Sequence, residues 1–156
     1  MDDRDFEHLR RAIGVSQLAR ENGNHPFGAT LVNADGAVVT EAENTVTTGS
    51  DPTGHAETNL VRKAGALGVD DLSSYTLYSS CEPCAMCSAA IFWAGIGRVV
   101  YALSNDELIA MIPPDSDGPA LGLTCREVIA AGNRPIAVDG PALEDEAAVP
   151  HERFWA

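Results

Sequence analysis

His55-Ala56-Glu57 and, after a stretch the length of one helix and one strand, Pro83-Cys84-Ala85-Met86-Cys87 constrain this chain more than any other feature. One imidazole and two thiolates are ligands that hold zinc tetrahedrally and leave a fourth position open, so that a water bound there loses a proton near neutral pH. Three protein ligands go with catalysis, four with structure. Glu57, two residues beyond His55, is close enough to act on such a water without ligating the metal, and can carry its proton to a substrate atom. Any fold for the chain must bring these two distant segments to one point.

Local signals say how. Asp51-Pro52 with Thr53, and Ser79-Ser80 with Glu82-Pro83, combine small polar residues with proline as helix starts do. Both ligand groups are therefore expected at helix N-termini, where the helix dipole favours thiolate over thiol at Cys84 and Cys87. A lone Cys-x-x-Cys also fits a redox pair, half of a structural zinc site or two core cysteines. The added His-x-Glu and the proline before Cys84 favour catalytic zinc. A fourth protein ligand would have to come from Cys81, Cys125 or His25; Cys81 reads as a buried wall residue, since free cysteine is among the most buried types.

At 156 residues the chain reads as one domain, 1–156, with 45% apolar and 6% aromatic residues, ordinary values for an α/β protein. The charged start Met1-Asp2-Asp3-Arg4-Asp5 lacks an apolar core, and no run approaches a membrane span. No membrane association is expected, and the cytoplasm is the expected compartment; four cysteines, two of them committed to metal, fit its reducing conditions. Net charge decides more. Ten Lys plus Arg stand against 23 Asp plus Glu, a net charge of −13, and Arg10-Arg11 and Arg62-Lys63 form no larger cluster. A chain that grips a nucleic-acid backbone needs a basic footprint, so no nucleic-acid partner is expected.

Periodicity places the motifs. Phe6, Leu9 and Ile13 predict a helix from about residue 3 that stops near Asn22-Gly23. Residues 28–32 and 37–42 flank Asn33-Ala34-Asp35-Gly36 as a hairpin. A helix over about 55–66, a strand over 75–80, a second metal helix over 84–94 and a strand over 99–103 follow. Beyond these, Asn105 to Ala110 starts a helix, 113–119 is a loop, 121–131 is a helix and 135–138 is the fifth strand. About thirty residues separate strands four and five, which points to a parallel crossover.

The chain resembles the cytidine deaminase superfamily and, within it, the guanine deaminase and nucleoside deaminase branch. The resemblance is carried by Asn24-His25-Pro26-Phe27-Gly28-Ala29, Asn44-Thr45-Val46-Thr47-Thr48, Asp51-Pro52-Thr53, His55-Ala56-Glu57, Ser80-Cys81-Glu82-Pro83-Cys84-Ala85-Met86-Cys87 and Ala90-Ile91-Phe92-Trp93-Ala94. It implies a three-layer α/β fold, a five-stranded mixed sheet with helices on both faces and strands four and five parallel. It also implies zinc held by His55, Cys84 and Cys87, with Glu57 as proton shuttle. Asn44 would hydrogen-bond the heterocycle, Phe27 would stack on it, Trp93 would close the pocket, and the backbone at Ala56 and Cys84 would offer further hydrogen bonds. Taken singly, Phe27 and Trp93 read as core and Asn44 as a turn residue.

Asp115, 28 residues beyond Cys87, resembles the place of a second acidic shuttle in guanine deaminases, although Met111-Ile112-Pro113-Pro114 departs from that branch; Asp117 and Glu144 are the other acids nearby. The tail 141–156, ending in Phe154-Trp155, would form a lid or an interface, and a homodimer is implied. The expected reaction is hydrolytic deamination of an aminated heterocycle, first guanine to xanthine and ammonia. Cytosine, a nucleoside or an aminated triazine are the alternatives, ahead of a tRNA adenosine or a zinc-stabilised module without activity.

Overall fold

The computed structural model describes residues 1–116, 118–119 and 121–155. In chain order it contains α1 (Asp3–Glu21), β1 (Gly28–Val32), β2 (Val38–Glu43), α2 (Val46–Gly49), α3 (Ala56–Gly65), β3 (Thr76–Cys81), α4 (Ala85–Ala94), β4 (Arg98–Leu103), α5 (Asn105–Met111), α6 (Cys125–Ala130), β5 (Ala137–Asp139), α7 (Glu144–Ala148) and a 3-10 turn, Val149–His151. The five strands form one sheet in the order β2-β1-β3-β4-β5. β1 runs antiparallel to β2 and β3, whereas β3, β4 and β5 are parallel, as the long connection between the last two strands requires.

Strand alternation builds the three layers. Leu31, Leu77 and Val99 face one side and pack with Leu60 of α3, Ile91 of α4 and Ile129 of α6. Their neighbours Val32, Tyr78 and Val100 face the other, against Leu9 and Ala12 of α1 and Ala147 of α7. Each fully buried leucine or isoleucine contributes about 1.5–3 kcal/mol. Helix α1 starts at a capping box in which the Asp2 side chain accepts from the backbone N–H groups of Arg4 and Asp5, and Asp5 accepts from that of Asp2. It lies so close on β1 that a Cβ on Gly28 would sit 2.4 Å from the Ser16 nitrogen and 2.5 Å from the Ala12 oxygen. Only glycine fits there.

Three local expectations change. The helix expected over 121–131 begins only at Cys125, because Thr124 and Glu127 form its capping box; Leu121 and Leu123, upstream of the cap, are exposed. β5 begins at Ala137 rather than Pro135, consistent with proline's missing N–H. Helices α2 and α7 carry too few residues for a periodic signal. The first is held by Asn24, whose Oδ1 accepts from the Thr48 N–H and hydroxyl. The second places Glu144, Asp145 and Glu146 in its first turn, where the dipole favours acids.

An ionic cluster joins four elements at the end of the sheet opposite the Cys84 loop. Asp5, 4% exposed, accepts from the Tyr78 hydroxyl at 2.7 Å and from the Arg98 guanidinium at 2.7 and 3.0 Å, and Arg98 also pairs with Asp139 of β5 at 2.7 Å. Burial alone would raise the Asp5 pKa; the bonds from Arg98 and Tyr78 outweigh it and hold the carboxyl far below its usual range. Among the described residues no helix is long and apolar enough to cross a membrane.

Because the Asp5 pKa is depressed, its contribution is complete above about pH 4 and is lost as pH falls below that value. Asp5→Asn leaves Arg98 short of its partner and should cost about 3 kcal/mol at pH 7 in urea unfolding. The difference between the two proteins should shrink steadily below pH 4, and a variant as stable as the parent at pH 7 contradicts this role.

Candidate metal centre and active site

Two loop-to-helix junctions on one side of the sheet create the site. His55 is the N-cap of α3 and Cys84 the N-cap of α4, both in extended backbone conformation and without a side-chain capping bond. Their side chains are thus free to point away from their own helices. Cys87 follows one turn into α4 and is buried. The His55 Nδ1 atom lies 3.6 Å from the Cys84 Sγ and 3.5 Å from the Cys87 Sγ. Tetrahedral zinc with Zn–S of about 2.3 Å and Zn–N of about 2.0 Å places such atoms about 3.5 Å apart, so the donor set fits the ion in chemistry and spacing. Cys81, Cys125 and His25 are not part of this group, which among the described residues comprises His55, Cys84 and Cys87 alone. Cys81 is 2% exposed and burial pushes its thiol well up, as a wall residue requires.

Electrostatics favour metal capture. A hydrogen bond from Cys87, and a second from His55, push the Cys84 pKa down to about 4. Cys87, as donor to Cys84 and buried, is pushed up. The bond to Cys84 raises His55. Together the three groups share protons that an incoming dication displaces.

Glu57 sits one residue into α3 and is 5% exposed. Burial raises its pKa, against the opposing bond from Ser79. The Ser79 hydroxyl of β3 donates to Glu57 Oε1 at 2.7 Å. Ser79 lies within the strand expected over 75–80, ahead of the α4 start, is 1% exposed, and fixes one carboxylate oxygen of Glu57. Strand alternation alone would have put Ser79 on the α3 side of β3, two residues from Leu77.

The other expected residues divide. Asn44 is 1% exposed, its Oδ1 accepts from the Val46 N–H, and its backbone N–H donates to the Phe27 carbonyl; among the described residues its amide Nδ2 donates no hydrogen bond. Asn59 of α3 secures this loop by donating to Glu43, Thr45 and Gly54. Phe27 is half-buried, with His151 and Trp155 against it at ring distances of 5.2 and 6.1 Å. The Ala56 N–H belongs to the first turn of α3, whose donors have no partner within the helix.

Trp93 is not brought to this group. It lies nine residues along α4 from Cys84, about 13 Å by helical rise, and is 82% exposed. Helical periodicity turns it outward while Ile91 faces the core. Asp115 is exposed in a turn after α5, and no hydrogen bond or ion pair among the described residues links it to Glu57. Asp117 lies outside the described residues. Glu144 is engaged elsewhere, accepting from the Ser104 N–H and hydroxyl at 3.0 and 2.6 Å. From the tail, Phe154 and Trp155 pack on His25 at 5.8 and 5.7 Å.

In metal-free protein at pH 7, iodoacetamide should modify Cys84 before the three buried thiols, and zinc should protect it. Equal labelling of all four cysteines, or no protection by zinc on peptide mass analysis, contradicts the metal centre.

Comparison with known proteins agrees with this geometry. The family described as the cytidine and deoxycytidylate deaminase zinc-binding region matches residues 2–103. A probable cytosine deaminase of Schizosaccharomyces pombe is 45% identical over 99% of this chain and 94% of its own. The guanine deaminase of Bacillus subtilis is 49% identical over 64% of each chain. The solved guanine deaminase of Nitrosomonas europaea superposes with a TM-score of 0.78, covering 94% of this chain and 82% of that one; at 24% identity it speaks for the fold alone. The chain belongs to the cytidine and deoxycytidylate deaminase family, and is a zinc-dependent hydrolytic enzyme acting on C–N bonds.

Proposed function

We propose that the chain deaminates a free nucleobase, converting cytosine and water to uracil and ammonia. The observation that carries the choice of base is the reach of the Schizosaccharomyces pombe similarity, which runs over 99% of the chain and so includes the segment after Leu103. The Bacillus subtilis guanine deaminase matches 64% of it. That relative supports guanine, expected first from sequence, as the second reading. The aromatic cover over Phe27 favours a small flat ring, and the net charge of −13 supports a free base over RNA.

His55, Cys84 and Cys87 would hold the zinc, which when bound supplies a Lewis acid that makes a coordinated water acidic near neutral pH. The remaining steps belong to side chains of this chain. Phe27 offers a ring face to the base, and the Asn44 Nδ2 and the Ala56 N–H orient it by hydrogen bonds. Glu57 takes a proton from the attacking water and delivers it to the ring nitrogen beside the amine-bearing carbon. As the C–O bond forms, that carbon becomes tetrahedral. Glu57 then takes the remaining proton of the new hydroxyl and passes it to the amine, the C–N bond breaks as the C=O bond forms, and ammonia leaves. Ser79 holds Oε1 so that the other carboxylate oxygen faces both proton donor and acceptor. Asp115, exposed as it is, has no step in this scheme. The proposed unit is one domain, active as the homodimer implied by the resemblance, which sedimentation tests.

Zinc-loaded protein should release ammonia from cytosine in a screen that also holds guanine, adenine, their nucleosides, cytidine and ammeline. Release from guanine with none from cytosine selects the second reading, and no release from any free base rejects both. Glu57→Gln should retain zinc and lose about 10²–10⁴-fold in kcat, the usual worth of a positioned acid–base. Ser79→Ala should lower kcat by about 10-fold with zinc content unchanged, since only the orientation of Glu57 is relaxed. Unaltered activity in the Glu57→Gln variant excludes the mechanism.

A further inference from the structure

Residues 149–155 lie across the site loop as a short strap, packed on His25 and Phe27, and among the described residues their side-chain hydrogen bonds to the rest of the molecule come from one residue. Within the strap, Glu152 N–H donates to the Val149 carbonyl and Phe154 N–H to the His151 carbonyl, at 3.2 and 3.1 Å. These bonds shape the turn without anchoring it. Its buried polar groups do not anchor it either: both His151 ring nitrogens and the Trp155 Nε1 are buried without a hydrogen-bond partner among the described residues. What ties the strap down is Arg20, in the last turn of α1. Its Nη1 donates to the Pro150 carbonyl at 2.8 Å and to the Glu152 carbonyl at 2.9 Å, and its guanidinium stands 5.8 Å from the centre of the Phe154 ring. Two charge-assisted bonds and a cation–π contact thus converge from one planar group.

The far side of the strap faces the site. Phe154 and Trp155 pack on His25, and His151 and Trp155 on Phe27. Phe27 in turn receives the Asn44 backbone N–H, so the strap covers the loop that presents Phe27 and Asn44. Helix α1, fixed on β1 by the close approach at Gly28, gives Arg20 a rigid base. We propose that Arg20 is a positioning residue of the active site: by clamping residues 150–154 from behind, it holds the aromatic cover over Phe27 and His25 and so sets the affinity for the base. Arg20 has no contact with the reacting atoms and acts through the strap. This rests on the free-base deaminase reading above.

The consequence is a separation of binding from chemistry. Releasing the strap removes contacts made equally to bound base and transition state, which raises KM and leaves kcat nearly unchanged. The experiment uses zinc-loaded protein and whichever free base the parent deaminates. Arg20→Ala should raise KM by about 10-fold with kcat within about threefold, and Arg20→Lys, which keeps the charge but loses the planar fork, by about threefold. A second readout needs no turnover. In a Trp93→Phe background Trp155 is the one tryptophan left, and adding Arg20→Ala should make its fluorescence more accessible to acrylamide, with zinc content unchanged. KM within twofold of the parent, or equal quenching with and without Arg20, overturns the proposal, as does a joint fall of kcat and zinc content at constant KM. If Arg20→Ala does not fold, the lysine variant decides by the same criteria. A parent that acts on no free base defeats the proposed function, and quenching then still decides whether Arg20 holds the strap.

Discussion

The convergence of His55 with Cys84 and Cys87 is the constraint on which the rest of the structure depends. Two helices must begin at one place, each with a ligand as its N-cap. The sheet order supplies that place. β1 and β3 are paired neighbours, α3 and α4 pack on the same face of them through Leu60 and Ile91, and the loops that enter both helices leave on one side. Ion pairing at the opposite end, where Arg98 gathers Asp5 and Asp139, fixes the strands relative to one another. A shift of the β3 register by one residue would turn Ser79 away from Glu57 and bury Tyr78 on the wrong face. Fold stability and site geometry are therefore one requirement.

The chemistry follows from unequal solvation within a few residues. Cys84 is half-buried and its neighbours favour the thiolate. Glu57 is buried with its pKa raised. The anionic form is favoured at Cys84 and disfavoured at Glu57, though both lie at the mouths of helices whose dipoles favour anions. Burial decides the difference.

Much of this was legible in the sequence where a residue's type or spacing has one physical use. The His-x-Glu and Pro-Cys-x-x-Cys groups, the amphipathic α1, the Asp-Gly hairpin and the thirty-residue crossover all fall in that class. Short helices with caps made by distant partners do not: α2 depends on Asn24 and α7 on packing beside α1. Trp93 shows the limit of resemblance, since an aromatic residue in a shared motif can face outward when helical phase puts Ile91 inside. Alternation puts Ser79 on the α3 face, but its bond to Glu57, like that of Arg20 to Pro150, exists only after β3 meets α3 and residues 149–155 fold back onto α1. The rings packed on Phe27, those of His151 and Trp155, come from far along the chain and outside the metal motif.

An open zinc site is the central claim, and X-ray absorption at the zinc edge of the fully loaded protein tests it most directly. The expected spectrum has two sulfur neighbours at about 2.3 Å and two nitrogen or oxygen neighbours at about 2.0 Å, one from His55 and one from water. Three or more sulfur neighbours, which would recruit Cys81 or Cys125 and close the fourth position, would contradict it.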